Sequence, residues 1–275
     1  MNPFRRPGQA GHATPAARPA RPSRRAAAFV LAGVAVVAVA ATAAAAAGGS
    51  GWPAPAGGPW ASSALPTGAQ PGGSKSQVTS VVSGPAATVE LSAAPGQVTI
   101  VGSATGLVRL IGQLHWTGHA PIAATRLNRV AGVLQLSYRC AAASPCTGNY
   151  RLVVPWRTAV VLRQPAGHVV ISGLAGPLRI TAHSVDISAT GLRTPSLTVA
   201  ISSGHMSATF AAAPRHLAVS LTSAQATFRL PASTGYAISS RVTAGYLQVG
   251  IPQVADAAHT IAVRIDSGEL ALLPG

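Results

Sequence analysis

Acidic side chains are almost missing from the sequence. Its 275 residues include five acids against 20 basic residues, which gives a formal net charge of +15. Only 9% of the residues are charged, whereas about 25% is typical of a soluble domain. A glycosidase needs two close carboxylates, and Asp266 and Glu269 are the only acids that lie near each other in the chain. Carboxylate-based catalysis is therefore nearly excluded.

Other features that would indicate catalysis are also scarce. The sequence contains one lysine, Lys75, and two cysteines, which are too few for a disulfide-built scaffold. It has no Gly-rich phosphate loop, no zinc-ligand spacing and no dinucleotide-binding fingerprint. We therefore predict a protein that is not an enzyme, with no catalytic residues, no cofactor and no metal ligands.

The N-terminal quarter of the chain has the composition of a membrane anchor. Residues 1–25 contain six arginines, five prolines and no acid, which predicts a disordered cytoplasmic tail. Residues 26–47 carry no charge, and a helix of that length would cross the roughly 30 Å hydrocarbon core of a bilayer. Because basic flanks stay inside, we expect a single-pass plasma-membrane protein whose N-terminus is cytoplasmic and whose C-terminal part is extracytoplasmic.

A cleavable signal peptide is the alternative interpretation of the same segment. The stretch 42–47 offers several Ala-x-Ala cleavage sites. The long leading tail and the length of the apolar core favour an uncleaved anchor, since signal peptides have cores of about 7–15 residues. Both interpretations place the rest of the chain outside the cytoplasm.

A change of composition divides the exported part in two. Residues 48–80 are rich in Gly, Pro and Ser, which predicts a flexible linker. Residues 81–275 contain short runs that alternate apolar and polar side chains, such as 178–180, 185–187, 228–230 and 263–265. Such alternation indicates half-buried strands. If the apolar members face inward, the charged residues Arg179, Asp186, Arg229 and Arg264 all face outward.

A short motif recurs within this domain. A corner of small residues followed by an apolar strand begins at Ala166, Ala182, Ser203, Ser223, Thr243 and Ser267. A period near 20 residues is typical of a stacked β-coil, in which each rung buries the apolar edge of the next. We therefore expect an all-β fold of stacked β-solenoid-like repeats, and a β-sandwich of hairpins is the alternative.

The repeats resemble the bacterial DUF4097 family of adhesin-like proteins with β-strand repeats. Its Ser-Gly-Asp-Val motif is matched most closely by 203–206 and 267–270, and 150–155 resembles the family's strand ending in Val-Pro. The resemblance covers about residues 85–275 and implies a surface-exposed module. In our alignment of the repeats, the Asp that follows the corner Gly is replaced at every corner, by His168, Ser184, His205, Gln225, Gly245 and Glu269.

Three groups of residues are candidates for a disulfide, a histidine ladder and a catalytic triad. Cys140 and Cys146 bracket a short loop between strands, and outside the cytoplasm such a pair predicts a disulfide. His168 and His205 both follow a corner Gly and are expected to be solvated, with a metal or pH-sensing ladder as the alternative. Ser203, His205 and Asp186 have the residue types of a catalytic triad, an assignment that we disfavour.

The charge predicts the partners. Beyond the tail, 13 arginines and Lys75 against five acids leave a charge of +9. This favours anionic neighbours, namely cell-wall polymers or lipid headgroups, and without an arginine stripe we predict no nucleic-acid binding. The predicted function is adhesion or structural support at the cell envelope, and residues 26–47 contact the lipid bilayer. The alternatives are an enzyme that acts on envelope polysaccharide and a surface sensor that signals through a partner.

Overall fold

The computed structural model describes residues 35–37 and 74–275, and every regular element within them is a β-strand. In chain order the strands are β1 (Ala35–Val37), β2 (Lys75–Ser83), β3 (Thr88–Ser92), β4 (Gly96–Ser103), β5 (Val108–Trp116), β6 (Ile122–Asn128), β7 (Val133–Arg139), β8 (Cys146–Pro155), β9 (Ala159–Ser172), β10 (Leu178–Leu192), β11 (Ser196–Phe210), β12 (His216–Leu230), β13 (Ala237–Val249) and β14 (Thr260–Pro274). The expectation of an all-β fold is confirmed.

The six long C-terminal strands stack in parallel and in register. Strands β9, β10, β11 and β12 pair in chain order, β14 pairs with β12, and β13 pairs with β14. One column of aligned residues runs through Val160, Leu178, Leu197, Leu217, Ile261 and Ile238. Parallel stacking of successive repeats is what a coil requires, whereas hairpins would give antiparallel neighbours.

Alternation decides which side chains form the core. The apolar residues predicted to face inward are all buried: Leu178, Ile180, Val185, Ile187, Phe228, Leu230, Val263 and Ile265. The four charged residues between them are exposed. Because each rung places its apolar residues above those of the rung below, the core is a continuous column of Val, Leu, Ile and Ala side chains.

In four of the six long strands, β9, β11, β13 and β14, a glycine with positive φ marks the corner that divides the strand into two halves. Gly167, Gly204, Gly245 and Gly268 have φ values between 112° and 145°. A Cβ atom at Gly204 would collide with the carbonyl oxygen of Val185 on the neighbouring rung. Only glycine adopts this backbone without strain, so these corners require it.

The structure corrects two of the six predicted repeat positions. In β10 the column of Gly167 is occupied by Val185, and Ser184 aligns with Ala166. The motif there begins at Ser184 and not at Ala182. In β13 it begins at Ala244 and not at Thr243, because Ala244 aligns with Ser267. Val185 has negative φ, since Ala143 is the only non-glycine residue with positive φ in the described part of the chain.

The last two strands exchange places in the stack. Strand β13 follows β12 in sequence, but β14 pairs with β12 and β13 lies outside it. The position next to β12 is therefore left open by β13 and is occupied by the C-terminal strand, β14. As a result β13 is an edge strand, and most of its residues are exposed.

The N-terminal strands extend the stack at its other end. Strand β3 pairs with the first half of β9 and β4 pairs with its second half. Strand β7 follows β3 in parallel and β8 follows β4 in parallel. Antiparallel pairs then complete both sides: β6 pairs with β7 on one side, and on the other β5 pairs with β8 and β2 pairs with β5. Among these antiparallel pairs β6–β7 joins consecutive strands as a hairpin, whereas β2–β5 and β5–β8 join strands that are separated in the chain.

Most of the predicted tail, anchor and linker lies outside the described residues. Within the predicted helix 26–47, Ala35–Val37 form β1, which pairs antiparallel with β2. A short apolar run that contains valines suits a strand as well as a helix, which explains the difference at these three residues. Strand β2 begins at Lys75, inside the predicted linker 48–80. Across 35–37 and 74–275 there is no helix of the length and hydropathy needed to cross a membrane.

Candidate functional site

A ladder of polar side chains follows the corner positions, four of them glycines, along the outside of the stack. Its members occupy one aligned position on successive strands: His168, Asp186, His205, Gln225, Glu269 and Tyr246. All six are exposed. We call this set the corner ladder. It borders an open groove of about 370 Å³, whose floor carries the hydroxyls of Ser188, Ser207 and Thr227.

Asp186 lies between two histidines in the corner ladder. Its Oδ1 accepts a hydrogen bond from the His205 backbone N–H at 3.2 Å and lies 3.3 Å from His205 Nδ1. Its Oδ2 lies 3.6 Å from Nδ1 of His168. About half of the Asp186 side chain is exposed, so these contacts are screened by solvent. The carboxylate therefore orders the corner while contributing little to stability.

The position of Asp186 overturns one prediction from the sequence. The family's Asp position was predicted to hold Ser184 in β10 and Gly245 in β13, so that no Asp remained. The structure places Asp186 and Tyr246 there, because the repeat begins at Ser184 and at Ala244. A Ser-x-Asp-apolar motif is therefore present once, at 184–187, with Val185 in place of the glycine.

Ser203, the nucleophile of the disfavoured catalytic triad, contacts the previous rung. The hydroxyl of Ser203 donates to the His183 carbonyl oxygen at 3.2 Å and lies 3.1 Å from the hydroxyl of Ser184. It therefore interacts with the previous rung, although His205 and Asp186 are in contact. Among the described residues, no three His, Cys, Asp or Glu side chains are grouped closely enough to hold a metal ion.

Arginine is the commonest charged residue on the outer surface of the domain. All 13 arginines in residues 74–275 are exposed. In this part of the chain two of them form ion pairs with carboxylates, Arg163 with Glu90 at 3.9 Å and Arg264 with Asp266 at 3.3 Å. Arg157 lies over the ring of Trp156, 4.6 Å from its centroid. The other guanidinium groups face solvent without an acidic partner within reach, which leaves a surface that attracts anions.

The cysteine loop is closed by the predicted disulfide. Cys140 and Cys146 are bonded, with Cα atoms 5.4 Å apart, between β7 and β8. Inside the loop, the hydroxyl of Ser144 accepts a hydrogen bond from the His119 backbone N–H at 3.0 Å and lies 3.3 Å from His119 Nδ1. The loop therefore holds the turn after β5 in place, a connection that the sequence did not reveal.

Two tyrosine rings, tilted by 42° to each other, pack together in the core of the N-terminal strands. The rings of Tyr138 and Tyr150 lie 5.1 Å apart between centroids, and both are almost fully buried. Burial raises the pKa of each phenol above its ordinary value. The Ala94 backbone N–H donates to the Tyr150 hydroxyl at 3.4 Å and offsets part of that rise in pKa. Burial therefore favours the protonated form of both phenols in the folded protein.

Comparisons with known proteins show weak likeness to solved structures. One, described as a candidate cell adhesion protein from Clostridium sporogenes, is 11% identical, covers 72% of this chain and 100% of its own, and has a TM-score of 0.45. A candidate adhesin from Bacteroides fragilis is 11% identical, covers 72% and 97%, and has a TM-score of 0.37. A candidate adhesin from Parabacteroides merdae is 7% identical, covers 71% and 95%, and has a TM-score of 0.26.

Comparisons with protein families and with curated proteins gave no match. The structural neighbours are adhesin candidates from bacteria.

Proposed function

We propose that this protein displays an adhesin-like β-solenoid of the DUF4097 type at the cell envelope, where it binds anionic envelope components without catalysing a reaction. The observation that carries the proposal is the exposure of all 13 arginines of the domain, only two of which pair with a carboxylate. A stack of parallel rungs spreads these charges over an extended surface. Such a surface suits a polyanion better than a small molecule in a closed pocket.

Anchoring by residues 26–47 is part of the same proposal, and in the membrane Ala35–Val37 would belong to the span instead of pairing with β2 as β1. The segment is uncharged and follows six arginines, which supports a single-pass anchor with a cytoplasmic N-terminus. The disulfide between Cys140 and Cys146 is typical of an oxidising, extracytoplasmic compartment. With the domain outside, the nearest polyanions are wall polymers and lipid headgroups, and cytoplasmic nucleic acid is out of reach.

Co-sedimentation with a soluble polyanion tests the binding. The full chain in detergent is mixed with polygalacturonate, and with uncharged dextran as the control polymer. We expect retention by polygalacturonate at about 0.05 M salt and its loss at about 0.5 M, because salt screens exposed charges. Retention by dextran equal to that by polygalacturonate, or retention that ignores salt, would contradict a charge-based adhesin. The double variant Arg179→Gln and Arg229→Gln is expected to weaken the retention.

A further inference from the structure

A second groove lies on the outer surface of β11, β12, β14 and β13, in the part of each strand that precedes the corner. It is at the C-terminal end of the stack. It has a volume of about 430 Å³ and is open to solvent. Its floor consists of outward-facing side chains aligned in two columns, all of them small except for two arginines. These are Thr198, Ala218, Ala262 and Ser239 in one column, and Ala200 and Ser220 followed by Arg264 and Arg241 in the other. We call it the Arg241–Arg264 groove.

The two arginines are direct register partners on neighbouring parallel strands. Their Cα atoms are therefore separated by about 4.8 Å, the spacing between strands. Like charges directly opposite each other on a sheet are destabilising, unless an anion lies between them. A pair of adjacent guanidinium groups at the end of a groove is thus a feature that a bound anion would stabilise.

The neighbouring carboxylate leaves most of this donor capacity free. Asp266 Oδ1 accepts a hydrogen bond from Nε of Arg264 at 3.3 Å. Within the described residues, the terminal nitrogens of Arg264 and all three side-chain nitrogens of Arg241 have no hydrogen-bond or ion-pair partner. Asp266 orients Arg264 and neutralises part of its charge, and the outward fork of each guanidinium remains open to a ligand.

The groove points to phosphate as the anionic group. A planar carboxylate occupies one guanidinium fork, whereas the oxygens of a tetrahedral phosphate point in different directions and can reach two forks one rung apart. No aromatic side chain lines the groove, so a nucleobase would gain no stacking there. The shallow floor of Ala, Ser and Thr accommodates a slender chain along the surface.

We infer that the Arg241–Arg264 groove binds a phosphodiester group of a linear envelope polymer, with both arginines as ligands of one phosphate. This inference rests on the proposed function, since it names the site and the chemical class of the polyanion. Thr198 and Ser220 supply hydroxyls for the polyol or sugar units next to the phosphate, and the Ser239 hydroxyl, which donates to the Ile261 carbonyl oxygen at 3.5 Å, keeps its oxygen as an acceptor. Asp266 acts as a positioning residue that holds Arg264.

The test measures affinity of the full chain in detergent for soluble polyglycerol phosphate. The variant Arg241→Gln with Arg264→Gln is compared with the control Arg126→Gln with Arg139→Gln, which removes the same charge from β6 and β7. We expect the groove variant to lose about tenfold or more in affinity and the control to lose less than about threefold. Replacing both groove arginines with lysine keeps the charge and is expected to lose most of the affinity as well, because lysine lacks the fork.

Each other outcome overturns the inference in a distinguishable way. Equal losses in the groove variant and the control would leave only general attraction to polyanions, which keeps the proposed function and removes this site. Binding of polygalacturonate but not of polyglycerol phosphate would reject phosphate as the ligand. Groove-dependent binding to phosphatidylglycerol vesicles without binding to the polymer would assign the site to lipid headgroups. Failure to bind either polymer would overturn both the inference and the proposed function.

Discussion

Ile265 and Val242 are register partners on adjacent strands, yet Ile265 is fully buried while 40% of Val242 is exposed. Both belong to the inward-facing column of the stack. The difference arises because β14 lies between β12 and β13, so that Ile265 is covered by a rung on each side and Val242 by one only. The second strand from the end of the chain is therefore an edge strand of the sheet.

Truncation of these two residues to alanine tests the order of the strands. We expect Ile265→Ala to lower the free energy of unfolding by about 2–5 kcal/mol, since it leaves a cavity in a packed core. Val242→Ala, the matched control in the same column, is expected to cost less than about 1 kcal/mol because water already reaches the site. Chemical denaturation measures both. A larger cost at Val242 would mean that the strands stack in the order of the sequence.

The corner glycines give a second prediction. Gly204→Ala forces a side chain into a positive φ and against the Val185 carbonyl. We expect a loss of about 1–3 kcal/mol in the free energy of unfolding. Gly106→Ala is the control, because a Cβ at Gly106 meets no atom within 4 Å and its φ is not positive. Thermal or denaturant unfolding should leave this control near the parent protein, and similar losses in both variants would contradict the corner geometry.

The disulfide predicts a specific response to reduction. In the chain-entropy description, opening a loop of this size removes about 2–3 kcal/mol of stability. Reductant should therefore lower the unfolding midpoint of the parent protein and leave that of Cys140→Ser with Cys146→Ser unchanged. Without reductant, a thiol reagent should modify neither cysteine. Rapid labelling of the native protein would show that the bond is absent.

Alkaline pH should destabilise the fold through the buried tyrosines. Burial raises the pKa of Tyr150 and Tyr138 above the ordinary value of about 10. The unfolded chain therefore releases these protons at lower pH than the folded chain, and stability that is complete below about pH 10 falls as the pH rises further. Tyr150→Phe should flatten this fall, and Tyr246→Phe, at an exposed position, should leave it unchanged. Unfolding curves between neutral and alkaline pH measure the effect.

Local patterns predicted the strands because each depends on neighbouring residues alone. Alternation around Ile180 and Phe228 assigned the buried face correctly, since side chains in a strand alternate regardless of tertiary context. The cysteine pair was predictable for a similar reason, because Cys140 and Cys146 lie within one short loop. The buried face of a strand and a disulfide across a short loop can therefore be predicted from neighbouring residues alone.

Long-range features could not be predicted in the same way. The repeat in β10 was misplaced because Val185 occupies a corner where glycine was expected, and only its alignment with Gly167 reveals this. The contact of Asp186 with His168 and His205 depends on that register. The pairing of β14 with β12 depends on the path of the chain after β13. A sequence period near 20 residues does not show which of the two strands lies next to β12.

Labelling of intact cells tests most directly the claim that the basic β-stack faces the outside. Thr222→Cys places a thiol at an exposed position of β12, and Ala10→Cys places one in the N-terminal segment that we assign to the cytoplasm. A membrane-impermeant maleimide is expected to label the cysteine at position 222 on intact cells, and to label the one at position 10 only after lysis. Protection of position 222 until lysis would contradict the account.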